Sequence, residues 1–294
     1  MKTAFIVNKT AGRNRTGRLW EQLEPRLRTQ QPDFSVFLTP RKGAGTEIAS
    51  RAQEQGYSRI IVVGGDGTLH ETINGIHTGK AEIGIIPTGT GNDFCRSAGI
   101  PQDPFAAPDY IFSGSLQTFD LGKVNGHLFV NVAGVGFDAA VAHKVNTSPL
   151  LRHFSGAVAY LLAVPASLLQ FRNVPVTILV DDKVIEGKVF LAAVGNARYY
   201  GGGMEIVPQA LPDDGLFHLC IARDISLLDA LVTLPKMFSG KHIEHSKVSC
   251  VSGRSITLTA HQPLMVHADG EIVSSTPAKF EIFPGQLRVV CPPG

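Results

Sequence analysis

The strongest constraint on this chain is an alternation within its first ninety residues. Short apolar runs (Phe5-Ile6-Val7, residues 34–38, Ile60-Ile61-Val62-Val63 and residues 83–86) are separated by apolar residues at helical spacing. The helical stripes are Leu19, Leu23 and Leu27, then Ile48, Ala49 and Ala52, then Leu69, Ile73 and Ile76. An apolar run stopped by Gly64-Gly65 or Pro87 reads as a strand buried on both faces, and repeats at three and four residues read as helices with one apolar face. Strands alternating with helices form a parallel sheet covered by helices, a three-layer α/β architecture.

The pattern changes near Asp120. Beyond it come short β-rich runs at 128–132, 174–180, 184–194, 216–221, 255–259, 280–283 and 287–290, with a turn at Val180-Asp181-Asp182-Lys183. Many short strands with turn signals predict an all-β sandwich or barrel. Helical segments near 154–171 and 226–240 interrupt them. A length of 294 residues also fits two domains at roughly 150 residues each. The expected division is an α/β domain over 1–120 and a β-rich domain over 121–283.

Composition narrows the class. Hydrophobic residues make up 44% and the net charge is 27 − 25 = +2, which excludes a disordered chain and argues against a dedicated nucleic-acid binder. The four cysteines form no CxxC pair, so a reducing, cytoplasmic compartment is expected. The apolar run near the N-terminus has four residues, short of the apolar core of a signal peptide. The uncharged stretch 154–171 contains Ser155, Pro165, Ser167 and Gln170; it reads as a packed or interfacial helix rather than a span.

Glycine, 31 of 294 residues, exceeds the roughly 7% average, and its placement is informative. Gly64-Gly65-Asp66-Gly67-Thr68 follows a buried strand. Thr68-Leu69-His70-Glu71 has the form of a capping box, which predicts a helix starting there. Glycines between strand and helix let a phosphate approach backbone N–H groups, and Asp66 suits a bridging divalent cation; a tight βα turn is the plain alternative. Pro87-Thr88-Gly89-Thr90-Gly91-Asn92-Asp93-Phe94 closes the next strand, with Asn92 placed to cap a helix. Two such loops at strand ends of one parallel sheet mark the edge where ligands bind. Asn8-Lys9-Thr10-Ala11-Gly12-Arg13 adds a third loop, with Arg13, Arg15 and Arg18 either cationic ligands or a solvated face. Neither a P-loop nor a GxGxxG fingerprint is present.

These loops, in this order and about 25 residues apart, resemble the diacylglycerol kinase catalytic domain, including the bacterial soluble lipid kinases. Asn8 to Gly12 resembles the family's first element, with Lys9 where proline is usual. Asn131-Val-Ala-Gly134-Val-Gly136-Phe137-Asp138, Gly201-Gly202-Gly203-Met204 through Pro208, Asp213-Asp214-Gly215-Leu216 and His267-Ala-Asp269-Gly270-Glu271 resemble later signatures. The resemblance spans nearly the whole chain. It implies a C-terminal β-sandwich, a chain end (about 284–294) returning to the first domain, and an active site in the cleft between domains. ATP and Mg²⁺ are the implied cofactors. Gly64, Gly65, Asp66, Gly67, Thr68, Leu69, His70, Glu71, Thr39 and Thr90 would contact ATP, with Asn8, Asn92 and Asp93 in the adjoining loops. Glu271 would accept the proton of the lipid hydroxyl, with Asp269 beside it and Asp66 also catalytic. Leu211 and Leu216 through their carbonyls, and Asp214, would hold a structural Mg²⁺ near Asp120. Carboxylate and carbonyl oxygens suit that hard cation.

The implied reaction is phosphorylation of a lipid hydroxyl, diacylglycerol to phosphatidic acid being the leading expectation, with transient peripheral membrane contact and room for a homodimer. GGDGT is shared with NAD kinases, so an NAD kinase-like phosphotransferase is the alternative, and a catalytically inactive nucleotide-binding regulator is another. Two positions depart from the family pattern: Glu205 stands where many relatives carry a basic residue, and Ala44 where His or Asp is common. Read alone, Asp269-Gly270 and Asp213-Asp214-Gly215 are turns. The helix around Leu227, Leu228, Leu231 and Leu234, like the 154–171 segment, is a candidate surface for that membrane contact, although an apolar stripe at helical spacing reads first as core-facing. His242 and His245 are not in HExxH spacing and read as solvated.

Overall fold

A computed structural model describes residues 1–151, 154 and 156–293; Ser155, named above, lies outside them. The chain divides into two compact units, residues 1–120 with 285–294, and residues 121–284.

In the first unit, β1 (Thr3–Val7), α1 (Ala11–Gln30), β2 (Phe34–Leu38), α2 (Ala44–Glu54), β3 (Arg59–Gly64), α3 (Asp66–Ile73), β4 (Glu82–Pro87) and α4 (Asp93–Ser97) follow one another. The strands pair in parallel in the order β4-β3-β1-β2. Every residue of β1 and β3 is buried, as expected for parallel strands covered on both faces. Arg288 and Val289 pair in parallel with Glu82 and Ile83, so the chain end extends this sheet. Arg59, 9% exposed, bonds Glu82 at 2.7 Å and the Phe112 carbonyl at 2.7 Å; a buried cation needs such partners. Leu23, Leu27 and Trp20 form the buried face of α1. Its first turn is irregular: Gly12, Arg13 and Asn14 are left-handed, so the regular helix starts after them.

The second unit contains β5 (Ser115–Val124, shared with the first), β6 (His127–Phe129), β7 (Val132–Gly136), α5 (Phe137–Thr147), α6 (Gly156–Gln170), β8 (Val174–Val180), β9 (Lys183–Gly195), β10 (Tyr199–Tyr200) and β11 (Met204–Glu205). It continues with β12 (Phe217–Arg223), α7 (Leu227–Thr233), β13 (Val248–Gly253), β14 (Ser255–Ala260), β15 (Met265–Ala268), β16 (Glu271–Ser275) and β17 (Ala278–Cys291, its residues from Gly285 belonging to the first unit). Antiparallel pairs run β16-β15-β7-β9-β8-β14-β17, while β12 joins β9 and β13 joins β12. One core fills the sandwich, with Phe129 stacked on Phe217 at 5.7 Å beside Ile178, Val194, Leu219 and Phe280. A second lies under α5, α6 and α7, with Phe137 stacked on Phe190 at 4.5 Å.

Two sequence expectations are corrected here. The α7 stripe is not a core face: Leu234 is buried, but Leu227, Leu228 and Leu231 are 49%, 74% and 53% exposed. A Ser226–Asp229 capping box starts this short helix, and Ala230 and Thr233 point inward instead. His242 is not solvated; it is 3% exposed, and its Nε2–H donates to the Ile206 carbonyl at 3.0 Å. On α6, Ala159, Ala163, Val164 and Leu168 face the core while Val158 and Leu162 are exposed. Among the described residues no helix is long and apolar enough to cross a membrane.

Candidate active site

The glycine loops of the first unit meet at the carboxyl ends of β3 and β4. Thr88 N–H and Gly89 N–H both donate to the Gly64 carbonyl, at 2.9 and 3.3 Å. A Cβ on Gly89 would lie 2.4 Å from the Gly65 Cα, and one on Gly65 would lie 2.9 Å from the Gly89 Cα. Only glycine at both positions permits this backbone approach. A Cβ on Gly67, by contrast, would meet nothing within 4 Å, so the amino end of α3 faces open space. The loop after β1 closes over the same edge. Asn8 Nδ2 donates to Thr68 Oγ1 at 3.1 Å, and a Cβ on Gly12 would lie 2.2 Å from the Thr88 carbonyl oxygen. Arg13, Arg15 and Arg18 are exposed. Thr39 is half-buried after β2, its N–H bonded to the Val7 carbonyl at 3.0 Å.

Helix α3 begins at Asp66, and Phe94 N–H donates to Asp66 Oδ1 at 3.3 Å, tying α3 to α4. Asp93 is buried at the head of α4. Burial pushes the Cys95 thiol up, and the negative charges of Asp66 and Asp93 push it further; both carboxylates therefore act on one small region. The expected Thr68–Glu71 capping box does not form, because α3 starts three residues earlier with Gly65, in place of Thr68, as its cap. Glu71 instead accepts from Gly43 N–H at 2.7 Å and Gly45 N–H at 2.9 Å. It neutralises the amino end of α2, where negative charge is favoured. Leu69 and His70 are buried in α3. Thr90 lies in the turn between β4 and α4. Asn92 does not cap α4 through its side chain: it is left-handed, and its Nδ2 donates to the Gly89 carbonyl at 3.3 Å.

In the second unit, the Asp269-Gly270 turn between β15 and β16 carries Glu271. Asp269 has φ 49° and Gly270 φ 86°, a left-handed pair suited to a two-residue hairpin. The Asp269 carboxylate accepts three backbone N–H bonds: Val130 at 2.9 Å, Asn131 at 2.9 Å and Val132 at 3.2 Å. It binds the turn to the start of β7. Gly270 is held at both ends, its N–H by His267 Nδ1 at 3.3 Å and its carbonyl by Asn146 Nδ2 at 2.9 Å. Because Nδ1 accepts, the proton sits on Nε2, which donates to Asp138 Oδ2 at 3.2 Å. Both residues are fully buried, and Tyr200 stacks on the imidazole at 6.0 Å. A Cβ on Gly134 would lie 1.9 Å from Asp138 Oδ2 and 2.5 Å from His267 Nε2.

Sequence reasoning missed this Asp138–His267 pair. Its signal was the Gly134-x-Gly136-Phe-Asp138 spacing, legible only once β7 and β15 are known to be neighbours.

The expected metal residues are placed as follows. Asp214 Oδ1 accepts from Leu216 N–H at 3.0 Å, and Oδ2 lies 2.8 Å from His218 Nε2, an Asx turn with an imidazole partner. Leu211 is exposed and Leu216 half-buried beside it. Asp120 is buried in the first unit, its Oδ1 accepting from Gly285 N–H at 2.8 Å. Among the described residues no three of His, Cys, Asp and Glu gather as a metal cluster; the expected set rests mainly on backbone carbonyls. Glu205 points at Gly240, where a Cβ would lie 2.9 Å from its Oε2. Ala44 is buried in the first turn of α2.

The residues fit a phosphate ligand with a hard cation in two respects. Asn92 Oδ1 is buried without a hydrogen-bond partner among the described residues, a state that normally requires an unseen donor. The open amino end of α3 carries the partial positive charge that attracts phosphate.

Residues 2–124 match the diacylglycerol kinase catalytic domain, and residues 131–291 match the YegS C-terminal NAD kinase beta sandwich-like domain. The diacylglycerol kinase of Staphylococcus carnosus (strain TM300) is 32% identical over 293 residues, covering 99% of this chain and 95% of that protein. YtlR of Bacillus subtilis (strain 168), provisionally named a lipid kinase, is 32% identical over 302 residues, covering 97% and 98%. A crystal structure from Bacillus anthracis str. Sterne, provisionally described as a diacylglycerol kinase, superposes with a TM-score of 0.83 at 26% identity, covering 99% and 95% of the two chains. The order of the glycine loops, the α/β unit followed by a β-sandwich and the extent of these matches agree: the chain belongs to the diacylglycerol kinase family, a family of lipid kinases.

Proposed function

We propose that the chain transfers the γ-phosphoryl group of ATP to a lipid hydroxyl, with diacylglycerol the expected acceptor and phosphatidic acid the product. The observation that carries this reading is the backbone contact of Gly65 with Gly89, which sets the open amino end of α3 beside the loop leading into α4. Phosphoryl transfer depends chiefly on positioning and on neutralising charge. The N–H groups at the head of α3 would bind phosphate oxygens, while Asp66 and Asp93 would hold Mg²⁺. When bound, Mg²⁺ supplies positive charge to the phosphate oxygens in the transition state. Asn8 fixes the hydroxyl of Thr68 beneath the loop, and Glu71, committed to α2, keeps α3 in place. Asp214 with the Leu211 and Leu216 carbonyls is the proposed structural Mg²⁺ set.

In the second unit Glu271 is the proposed proton acceptor. Asp269 supports it by holding the turn, since its carboxylate accepts from the backbone amides of Val130, Asn131 and Val132. The outward apolar residues of α6 and α7, Val158, Leu162, Leu227, Leu228, Leu231 and Val232, are the proposed peripheral bilayer contact. Leu228→Glu with Leu231→Glu should reduce co-sedimentation with diacylglycerol-containing vesicles. Unchanged pelleting would remove α7 from the reading.

The central test incubates purified protein with ATP, Mg²⁺ and a total lipid extract, read by mass spectrometry. ATP-dependent appearance of phosphatidic acid supports the proposal. No phosphorylated lipid of any class would sink it. Gly64-Gly65-Asp66-Gly67-Thr68, a motif shared with NAD kinases, leaves an NAD kinase-like acceptor as the second reading. NADP⁺ formation from NAD⁺ and ATP decides between them.

A further inference from the structure

We propose that Cys250 and Cys220 form a hydroperoxide-oxidisable pair that closes to an intrachain disulfide. They lie directly opposite one another on the antiparallel strands β12 and β13. Opposed residues on such strands place their Cα atoms about 4.5–5.5 Å apart with side chains on one face, inside the window of about 4.4–6.8 Å that a disulfide spans.

The two thiols are chemically unequal. Cys220 is buried, 3.7 Å from His242 Nε2, and Cys250 is the one exposed cysteine of the four. A hydrogen bond from the Cys220 thiol brings the Cys250 thiol down to about 7, while Cys220 itself is pushed up. Burial pushes Cys95 up and Cys291 up to about 11. The thiolate is the nucleophile towards peroxide, so Cys250 combines accessibility with ionisation near neutral pH.

The chemistry closes without another group. The Cys250 thiolate attacks a hydroperoxide ROOH, breaking its O–O bond; with one proton taken up, the products are Cys250–SOH and ROH. The Cys220 sulfur then attacks the Cys250 sulfur, and hydroxide leaves with the Cys220 thiol proton as water. The sulfurs are oxidised by two electrons in total and the peroxide is reduced by two. The new bond would staple together β12 and β13, the two strands that the segment carrying α7 connects.

The test treats the full chain with hydrogen peroxide, then counts thiols in denaturant and maps non-reduced peptides by mass spectrometry. The titre should fall from the four cysteines to two, with a Cys220–Cys250 linked peptide that dithiothreitol removes. Cys250→Ser should keep its remaining thiols through the same treatment. Cys220→Ala, checked for folding by circular dichroism, should oxidise more slowly because the hydrogen bond that lowers the Cys250 thiol is gone, and should stop at a sulfenic acid on Cys250 that a cyclic 1,3-diketone traps. The proposal is overturned if the wild-type chain keeps all four thiols, if Cys250 ends as sulfinic acid without a linked peptide, or if the link joins two chains. The wild-type measurement stands by itself should a variant fail to fold.

Discussion

Replacing Asp269 with asparagine tests whether this carboxylate holds a turn or takes part in chemistry. Asn tolerates the left-handed φ of 49°, so backbone strain does not confuse the result. The Asn carbonyl can keep the Asn131 and Val132 amides now on Oδ1, at 2.9 and 3.2 Å, but its NH₂ then faces the Val130 amide that Oδ2 accepts at 2.9 Å. One charge-assisted bond, worth about 1.5–3 kcal/mol, is lost, and an unsatisfied amide costs about 1–3 kcal/mol more. Partial exposure of the turn places the sum near 3 kcal/mol. For a unit of this size that lowers Tm by roughly 6–12 °C. Far-UV circular dichroism melts of wild type, Asp269→Asn and Glu271→Gln, with lipid phosphorylation measured on the same preparations, separate the roles. Asp269→Asn should lose both stability and activity. Glu271→Gln should melt with the wild type yet lose about 10²–10⁴-fold in kcat, the usual range for a general base. Wild-type melting of Asp269→Asn with abolished activity would refute the turn-holding role.

Three further outcomes follow from specific contacts. Gly134→Ala places a Cβ 1.9 Å from Asp138 Oδ2, so it should separate Asp138 from His267 and lower kcat at least about tenfold, through a misplaced reacting group. ATP affinity by calorimetry should be unchanged, and a wild-type kcat would show that the buried pair does not orient the Glu271 turn. Gly89→Ala, with its Cβ 2.4 Å from the Gly65 Cα, should push the phosphate-side loops apart and weaken ATP binding at least about tenfold; wild-type calorimetry would count against the loop contact. Burial lowers the His242 pKa, so the neutral form is favoured in the fold. Its contribution to stability is full above the unfolded value of about 6.5 and falls as pH drops from there towards the folded value. His242→Gln should remove that slope from urea midpoints measured between neutral and mildly acidic pH, and an identical slope in the variant would mean another group causes it.

The sequence was most informative where local chemistry is self-contained. The buried runs before Gly64 and Pro87 had no other use than parallel strands, and Asp181, Asp214 and Asp269 lie in turns as their neighbours implied. It misled where a side chain chose a partner far along the chain. Thr68-x-x-Glu71 has the form of a local cap, but Glu71 found the stronger donors of α2, 26 and 28 residues away. The α7 stripe has core spacing, yet the Ser226–Asp229 box sets where the helix starts and leaves most of its leucines outside. His242, polar and in a non-motif spacing, is buried because a short 3-10 turn aims it at the Ile206 carbonyl.

By itself, then, the chain's order of apolar runs and glycine loops determined the parallel α/β unit, the β-rich remainder and the family, because strand and helix periodicity and turn chemistry act over a few residues. Tertiary structure alone decided that Gly65 and Gly89 touch, that Asp269 grips the start of β7, that Asp138 meets His267 and that Cys220 faces Cys250. Those contacts join residues from 24 to more than 130 positions apart, and strand register, which is set by the packing of whole faces, determines which of them meet.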